Sequence, residues 1–266
     1  MIETYVENLK KAFGDFQPEI LIILGSGLGS IAQKVENKII VPYNQIGFPK
    51  INIVGHRAEL IAGTLGKKKV LCMSGRYHLY EGHPATFVKD MMSAYQKYGI
   101  KEVIATNAAG SLRKDMAAGA IMMITDHINF SGQNPLIGVN NDKEGPRFPD
   151  MSQAYDEALQ QKMRQTAKEN NIMLFEGTYF FVVGPNFETK AEIKAFRTLG
   201  ADAVGMSTVP EVISAVYFGL KVVALSVITN QSADIQKTGL SHEETLFEAK
   251  QGAVDLQGLI LKYLEK

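Results

Sequence analysis

Four stretches of this 266-residue chain run apolar residue after apolar residue and then stop at small or polar ones. They are residues 20–24 before Gly25, 70–73 before Ser74, 103–105 before Thr106 and 222–225 before Ser226. A strand with one solvated face alternates apolar and polar side chains. A run without alternation is buried on both faces, as parallel strands covered by helices are. Amphipathic segments with helical spacing separate these runs, which is the order of a βα chain. The expectation is therefore an α/β fold, a single domain over residues 1–266 with a mixed central β-sheet flanked by helices. No repeat or Pro/Gly/Ser-rich linker divides it.

The pattern predicts strands at 19–24, 57–62, 69–74, 102–106, 120–128, 178–183, 203–205 and 221–229. It predicts helices at 2–13, 84–98, 156–170, 189–199, 209–218 and 242–264. Two of these open with capping boxes, Thr189 with Glu192 and Ser241 with Glu244. The last helix carries an apolar stripe of Leu246, Ala249, Ala253, Leu256, Ile260 and Tyr263. Residues 131–154 fit neither pattern; with Pro135, Pro146 and Pro149 they read as a long loop reaching outward.

Charge narrows the function. Lys plus Arg equals Asp plus Glu at 28 each, which argues against nucleic acid as a partner but leaves room for a small anion. The single cysteine, Cys72, lies in an apolar run and reads as a core residue; no Cys/His cluster has zinc spacing. The N-terminal residues lack a basic segment followed by an apolar one, and no apolar run is long enough to span a bilayer. A cytoplasmic protein without a membrane partner is expected.

The chemistry lies where the predicted strands end, which is where α/β sheets place ligands. Gly25-Ser26-Gly27-Leu28-Gly29 follows the first strand. Its GxGxG spacing departs from the dinucleotide fingerprint GxGxxG, leaving an anion-binding loop or a plain tight turn. Arg76 and His78 follow the 69–74 strand two residues apart, so an extended chain points both the same way. Arg supplies a fixed fork of donors for oxyanions. Asn107-Ala108-Ala109-Gly110 offers small residues for close backbone approach. Phe187 and Glu188 precede a capped helix, whose positive end should help keep the carboxylate ionised. An aromatic beside an acceptor suits a flat heterocycle that donates N–H groups. Val204, Met206 and Ser207 form another short segment, and Asn230 brings an amide that both donates and accepts.

Taken together, GSGLG, Gly55-His56, GRYHLYEGH, TNAAGSL, RFPDMSQAYD, VGPNFET, VGMSTVPE, ITN and the HEE at His242 resemble the trimeric purine nucleoside phosphorylase family. The match runs from residue 25 to residue 244. The resemblance implies that Ser26, Arg76, His78, Asn107, the backbone at Ala108 and Ser207 hold phosphate, with His56 beside them. Phe187, Glu188, Val204 and Asn230 would bind the purine. Tyr80, Met206, Tyr179 and His242 would border the ribose, and Phe148 would reach into a neighbouring subunit's site in a homotrimer. Glu81 would orient the Arg76/His78 end.

The activity implied is phosphorolysis of 6-oxopurine nucleosides (inosine, guanosine and their 2′-deoxy forms) to free base and ribose 1-phosphate. Asn230, Glu188 and His78 would carry the catalysis. Phosphate would be a co-substrate, and no metal or organic cofactor is implied. Two other readings stay open: a methylthioadenosine phosphorylase, which carries Asp where this chain has Asn230, and a non-catalytic nucleoside-binding protein. Residues 231–241 fall outside the match and read as a cover over the base.

Overall fold

The computed structural model describes residues 1–51, 57–232 and 242–266. Among them, nine strands are β1 (Ile20–Leu24), β2 (Glu36–Pro42), β3 (Glu59–Leu65), β4 (Lys68–Ser74), β5 (Glu102–Ser111), β6 (Ile121–Asn129), β7 (Leu174–Phe181), β8 (Ala203–Gly205) and β9 (Lys221–Gln231). The helices are α1 (Ile2–Phe13), α2 (Ser30–Gln33), α3 (Tyr43–Ile46), α4 (Ala85–Tyr98), α5 (Glu157–Glu169), α6 (Lys190–Thr198), α7 (Val209–Tyr217) and α8 (His242–Leu264). No helix among the described residues is long and apolar enough to cross a membrane.

The strands join in one mixed sheet of order β2-β3-β4-β1-β5-β8-β7-β6-β9. β4, β1, β5 and β9 run parallel to one another. Because β5 also pairs with β9, the strands β5, β8, β7, β6 and β9 close into a ring of hydrogen-bonded neighbours.

The unalternating runs are explained by two cores. Leu21 and Ile23 of β1 join α1, α4 and α7 on one side of the sheet. Ile20, Ile22 and Leu24 join α2, α5 and α8 on the other. β4 and β9 divide in the same way, so both faces of each strand must be apolar. Cys72 lies in the second core, where burial pushes its thiol up to about 12. Of the α8 stripe, Ala253, Leu256, Ile260 and Tyr263 are buried there, while the side chains of Leu246 and Ala249 lie outside the described residues.

Three features depart from the sequence pattern. β2 shows mostly exposed residues and pairs antiparallel with β3 at the sheet edge, so it lacks the apolar run that marks the others. α2 and α3 are single turns, too short for a helical period. β5 does not stop at Thr106 but continues to Ser111, because its last residues pair with both β8 and β9. Asn107–Gly110 is thus part of the strand. Within the β5/β9 pair the register shifts once: Ala109 faces Ile228, yet Gly110 faces Asn230, leaving Thr229 as an extra residue in β9.

The stretch 131–154 forms no helix or strand. Local side chains organise it: Asn134 accepts from Leu136 N at 2.8 Å, Asp150 accepts from Ser152 N at 2.8 Å, and Arg147 donates to the Gly138 carbonyl at 2.9 Å.

Thr106 fastens the first strand-end loop to the sheet. Its hydroxyl donates to the Ile23 carbonyl at 2.8 Å and accepts from Gly25 N at 3.2 Å. The approach is so close that a β-carbon on Gly25 would sit 2.7 Å from the Asn107 Cα and 2.8 Å from the Thr106 carbonyl oxygen. We expect Gly25→Ala to destabilise the protein by about 1–3 kcal/mol, read from a lowered urea midpoint. An unchanged midpoint would mean that the loop moves aside freely.

Candidate active site

The parallel strands β1, β4, β5 and β9 end on one side of the molecule, and a cavity of about 330 Å³ lies there. Ser26 enters it from the loop after β1, and Arg76 and His78 from the segment after β4. Asn107 to Gly110 line it from the last half of β5, Val204 to Ser207 from β8 and the residues after it, and Asn230 from the end of β9. Phe187 and Glu188 close one wall at the start of α6, where Thr189 and Glu192 form the predicted capping box.

Arg76 is almost wholly buried, 1% exposed. Its Nε donates to Glu211 Oε1 at 2.7 Å, and its Nη1 donates to the Thr106 carbonyl at 2.9 Å and to Ser207 Oγ at 3.1 Å. Glu211 stands in the first turn of α7 and is 3% exposed. The carboxylate supplies the opposite charge that lets a guanidinium leave water.

His78 stacks on Tyr80, ring centroids 4.8 Å apart. Its backbone N–H donates to Glu81 Oε1 at 2.8 Å, and its Nδ1 lies 3.6 Å from the same oxygen. Burial pushes the Glu81 carboxyl up, but the hydrogen bonds from His78 outweigh it, and the group sits below its ordinary value. Glu81 thus orients His78, while Glu211 holds the Arg76 side chain.

On the opposite wall, Asn230 is 8% exposed, its Oδ1 accepts from the Thr229 hydroxyl at 2.9 Å, and its Nδ2 donates to the Gln231 carbonyl at 3.2 Å. These bonds set which end of the amide donates. Gly110 faces it, and a β-carbon there would come within 3.1 Å of Nδ2. Glu188 is half-buried, and burial together with nearby Glu192 pushes its carboxyl above the ordinary value despite a backbone hydrogen bond. Desolvation is the largest of these effects.

The structure thus gathers Ser26, Arg76, His78, Tyr80, Asn107 and Ala108 with Phe187, Glu188, Val204, Met206, Ser207 and Asn230 around one cavity. One residue expected in this chain's own site does not line the cavity. Tyr179 is fully buried behind the wall, its hydroxyl accepting from Ser207 N at 3.4 Å, so it supports the Ser207 segment from behind instead of lining the cavity. Phe148 is 88% exposed and lines a separate groove with His127, Arg147 and Met151. His56 lies outside the described residues, as do the side chain of His242 and the stretch 233–241 with the Ser241 cap.

Sequence reasoning missed Glu211 and Thr106. Glu211 had a legible signal, a lone carboxylate between Val209-Pro210 and Val212-Ile213. Thr106 had none, since its carbonyl and hydroxyl act through strands distant in sequence.

Comparison with known proteins is consistent across sequence and structure. Residues 19–265 match the Phosphorylase superfamily. Purine nucleoside phosphorylase 1 of Bacillus subtilis (strain 168) is 46% identical over 230 residues, covering 86% of this chain and 85% of its own. The structure of the Schistosoma mansoni purine nucleoside phosphorylase in complex with adenosine superposes with a TM-score of 0.94 at 37% identity, covering 100% of this chain and 96% of that one. The same enzyme in complex with inosine gives 0.93 at 36% identity, covering 100% and 95%. The chain belongs to the Phosphorylase superfamily, among its purine nucleoside phosphorylases, which are pentosyltransferases.

Proposed function

We propose that this enzyme cleaves 6-oxopurine nucleosides, inosine and guanosine with their 2′-deoxy forms, using inorganic phosphate, to give free base and (deoxy)ribose 1-phosphate. The observation that carries the reading is the pairing of the Asn230 amide and the Glu188 carboxyl in one cavity with Arg76, His78 and Ser207. An amide can give a hydrogen to O6 and meet N7, and a carboxylate can accept from N1–H and an exocyclic amine. The inosine complex of a 36%-identical relative supports the same reading.

In this reading Ser26, Arg76, His78, Asn107, the Ala108 backbone and Ser207 hold phosphate, with His56 beside them. Phe187 and Val204 pack on the purine, and Tyr80, Met206 and His242 border the ribose. As the glycosidic bond stretches, C1′ becomes cationic and the purine anionic. Phosphate beneath C1′ stabilises the cation and then attacks it, with inversion, while Asn230 stabilises charge on the departing base. Phosphate is the second substrate, and neither a metal nor an organic cofactor takes part. We propose one domain over residues 1–266, a cytoplasmic location and a homotrimer in which Phe148 completes the neighbour's ribose pocket.

The direct test measures base release from inosine, guanosine, adenosine and methylthioadenosine, with and without phosphate. Phosphate-dependent cleavage of the first two is expected. A preference for methylthioadenosine, or binding without cleavage, would overturn the proposal. Asn230→Asp removes the donor that faces O6, so inosine efficiency should fall roughly 10- to 150-fold, and by more than adenosine efficiency. An unmoved ratio would take Asn230 away from the base.

Two further outcomes follow from assembly and charge. Phe148→Ala should raise the nucleoside KM while light scattering still reports a trimer; a fully active wild-type monomer would refute the shared pocket. The raised folded-state value of Glu188 means its contribution to stability is present below the unfolded value of 4.5 and is lost as pH rises through the folded one. Without ligand, the stability of Glu188→Gln relative to wild type should therefore increase as pH climbs above 4.5. Parallel melting curves at all pH values would contradict the shift.

A further inference from the structure

The geometry of an anion site depends on donors that cannot swing, and Arg76 carries many rotatable bonds. In this structure Glu211, Thr106 and Ser207 restrain it. The Nε edge is committed to Glu211 at 2.7 Å, and Nη1 is committed to the Thr106 carbonyl at 2.9 Å and to Ser207 Oγ at 3.1 Å. Two of these contacts serve other parts of the cavity. Thr106 is the residue that fastens the β1 loop carrying Ser26. Ser207 spends a lone pair on Arg76, which leaves its own proton to donate.

Glu211 itself is fixed from the far side. It occupies the first turn of α7, whose positive end favours a carboxylate. Thr208, which precedes this helix, adopts a φ of 74° and does not cap it with its side chain. Its hydroxyl instead accepts from Asn107 Nδ2 at 2.8 Å and lies 3.3 Å from Ser207 Oγ. The first residues of α7 are thereby bound to the cavity wall, and Glu211 reaches Arg76 from a rigid base.

We propose that Glu211 is a positioning residue for the reaction: through the Nε of Arg76 it sets the plane of the guanidinium, and through Arg76 the direction of the Ser207 hydroxyl, so that both meet phosphate. This rests on the phosphorolysis reading above. Glu211 touches no substrate. It neutralises the buried cation and holds its orientation, two roles that substitutions can separate.

E211A removes both charge and acceptor. E211Q removes the charge but keeps an oxygen that can accept from Nε. Both should melt at lower temperature than wild type, because both leave Arg76 without its counter-charge. Only E211A should lose orientation. Its phosphate KM and its phosphate Kd by titration calorimetry should rise roughly 10- to 100-fold, with the inosine KM within about twofold of wild type. In E211Q the phosphate constants should return to within about threefold of wild type. If E211A does not fold, E211D, which keeps the charge but withdraws the oxygen by one methylene, takes its place with the same expectation for phosphate.

Equal phosphate constants in E211A and E211Q, or a parallel rise in the inosine KM, would make Glu211 a merely structural residue and overturn the proposal. A wild-type protein that binds inorganic phosphate but does not cleave inosine would sink the functional reading instead, and the calorimetric comparison would still decide the role of Glu211.

Discussion

A guanidinium can leave water only when its charge and its N–H groups are answered from nearby, and Arg76 leaves water almost completely. That demand organises the carboxyl ends of the sheet. The answering groups come from β5, from the segment after β8 and from α7, lying more than a hundred residues from Arg76 in two of three cases. Each must arrive at the same place for any to be satisfied. The parallel core of the sheet delivers them, since strands that run together also end together. Thr106 extends the same network to the β1 loop, so the anion-facing elements form one hydrogen-bonded unit.

The rest of the fold supports this convergence from two sides. Alternate residues of β1, β4 and β9 go to separate cores, so the strands are clamped between helical layers. Phe180 and Phe196, stacked with centroids 3.9 Å apart, lie in a third, smaller cluster with Val204, which lines the cavity. Tyr179 packs against the backbone at Gly205, where a β-carbon would meet its hydroxyl at 2.2 Å. Rigidity in the cavity is thus inherited from close packing in the layer beneath it.

Much of this was legible in the sequence, and the reasons are physical. Apolar runs without alternation can hardly be anything but doubly covered strands, and small or polar residues at their ends mark the ligand side. This is why Ser26, Arg76, His78 and Asn230 could be named before any coordinates. What stayed hidden acts across the chain. The exposed edge strand β2 has no pattern of its own, because its partner supplies its order. The pairing of Glu211 with Arg76 spans 135 residues. The balance at Glu188, where desolvation outweighs a backbone hydrogen bond, depends on burial that sequence does not state. Tyr179 carries the right chemistry for a pocket, yet its strand turns it to the covered side.

The extra residue in β9 has a consequence of another kind. Along a regular strand, Asn230 would share the side of Ile228 and point into the first core. Because Thr229 is accommodated without a partner, the frame of the strand advances by one, and Asn230 falls on the side of Gly110, in the cavity. The residue presented to the cavity is therefore selected by counting as well as by identity. A lineage could change what this wall presents by losing or gaining one position between Ile228 and Asn230, with every side chain kept. In such a strand an indel is a specificity mutation, and an alignment that absorbs it as a gap would hide the event that mattered.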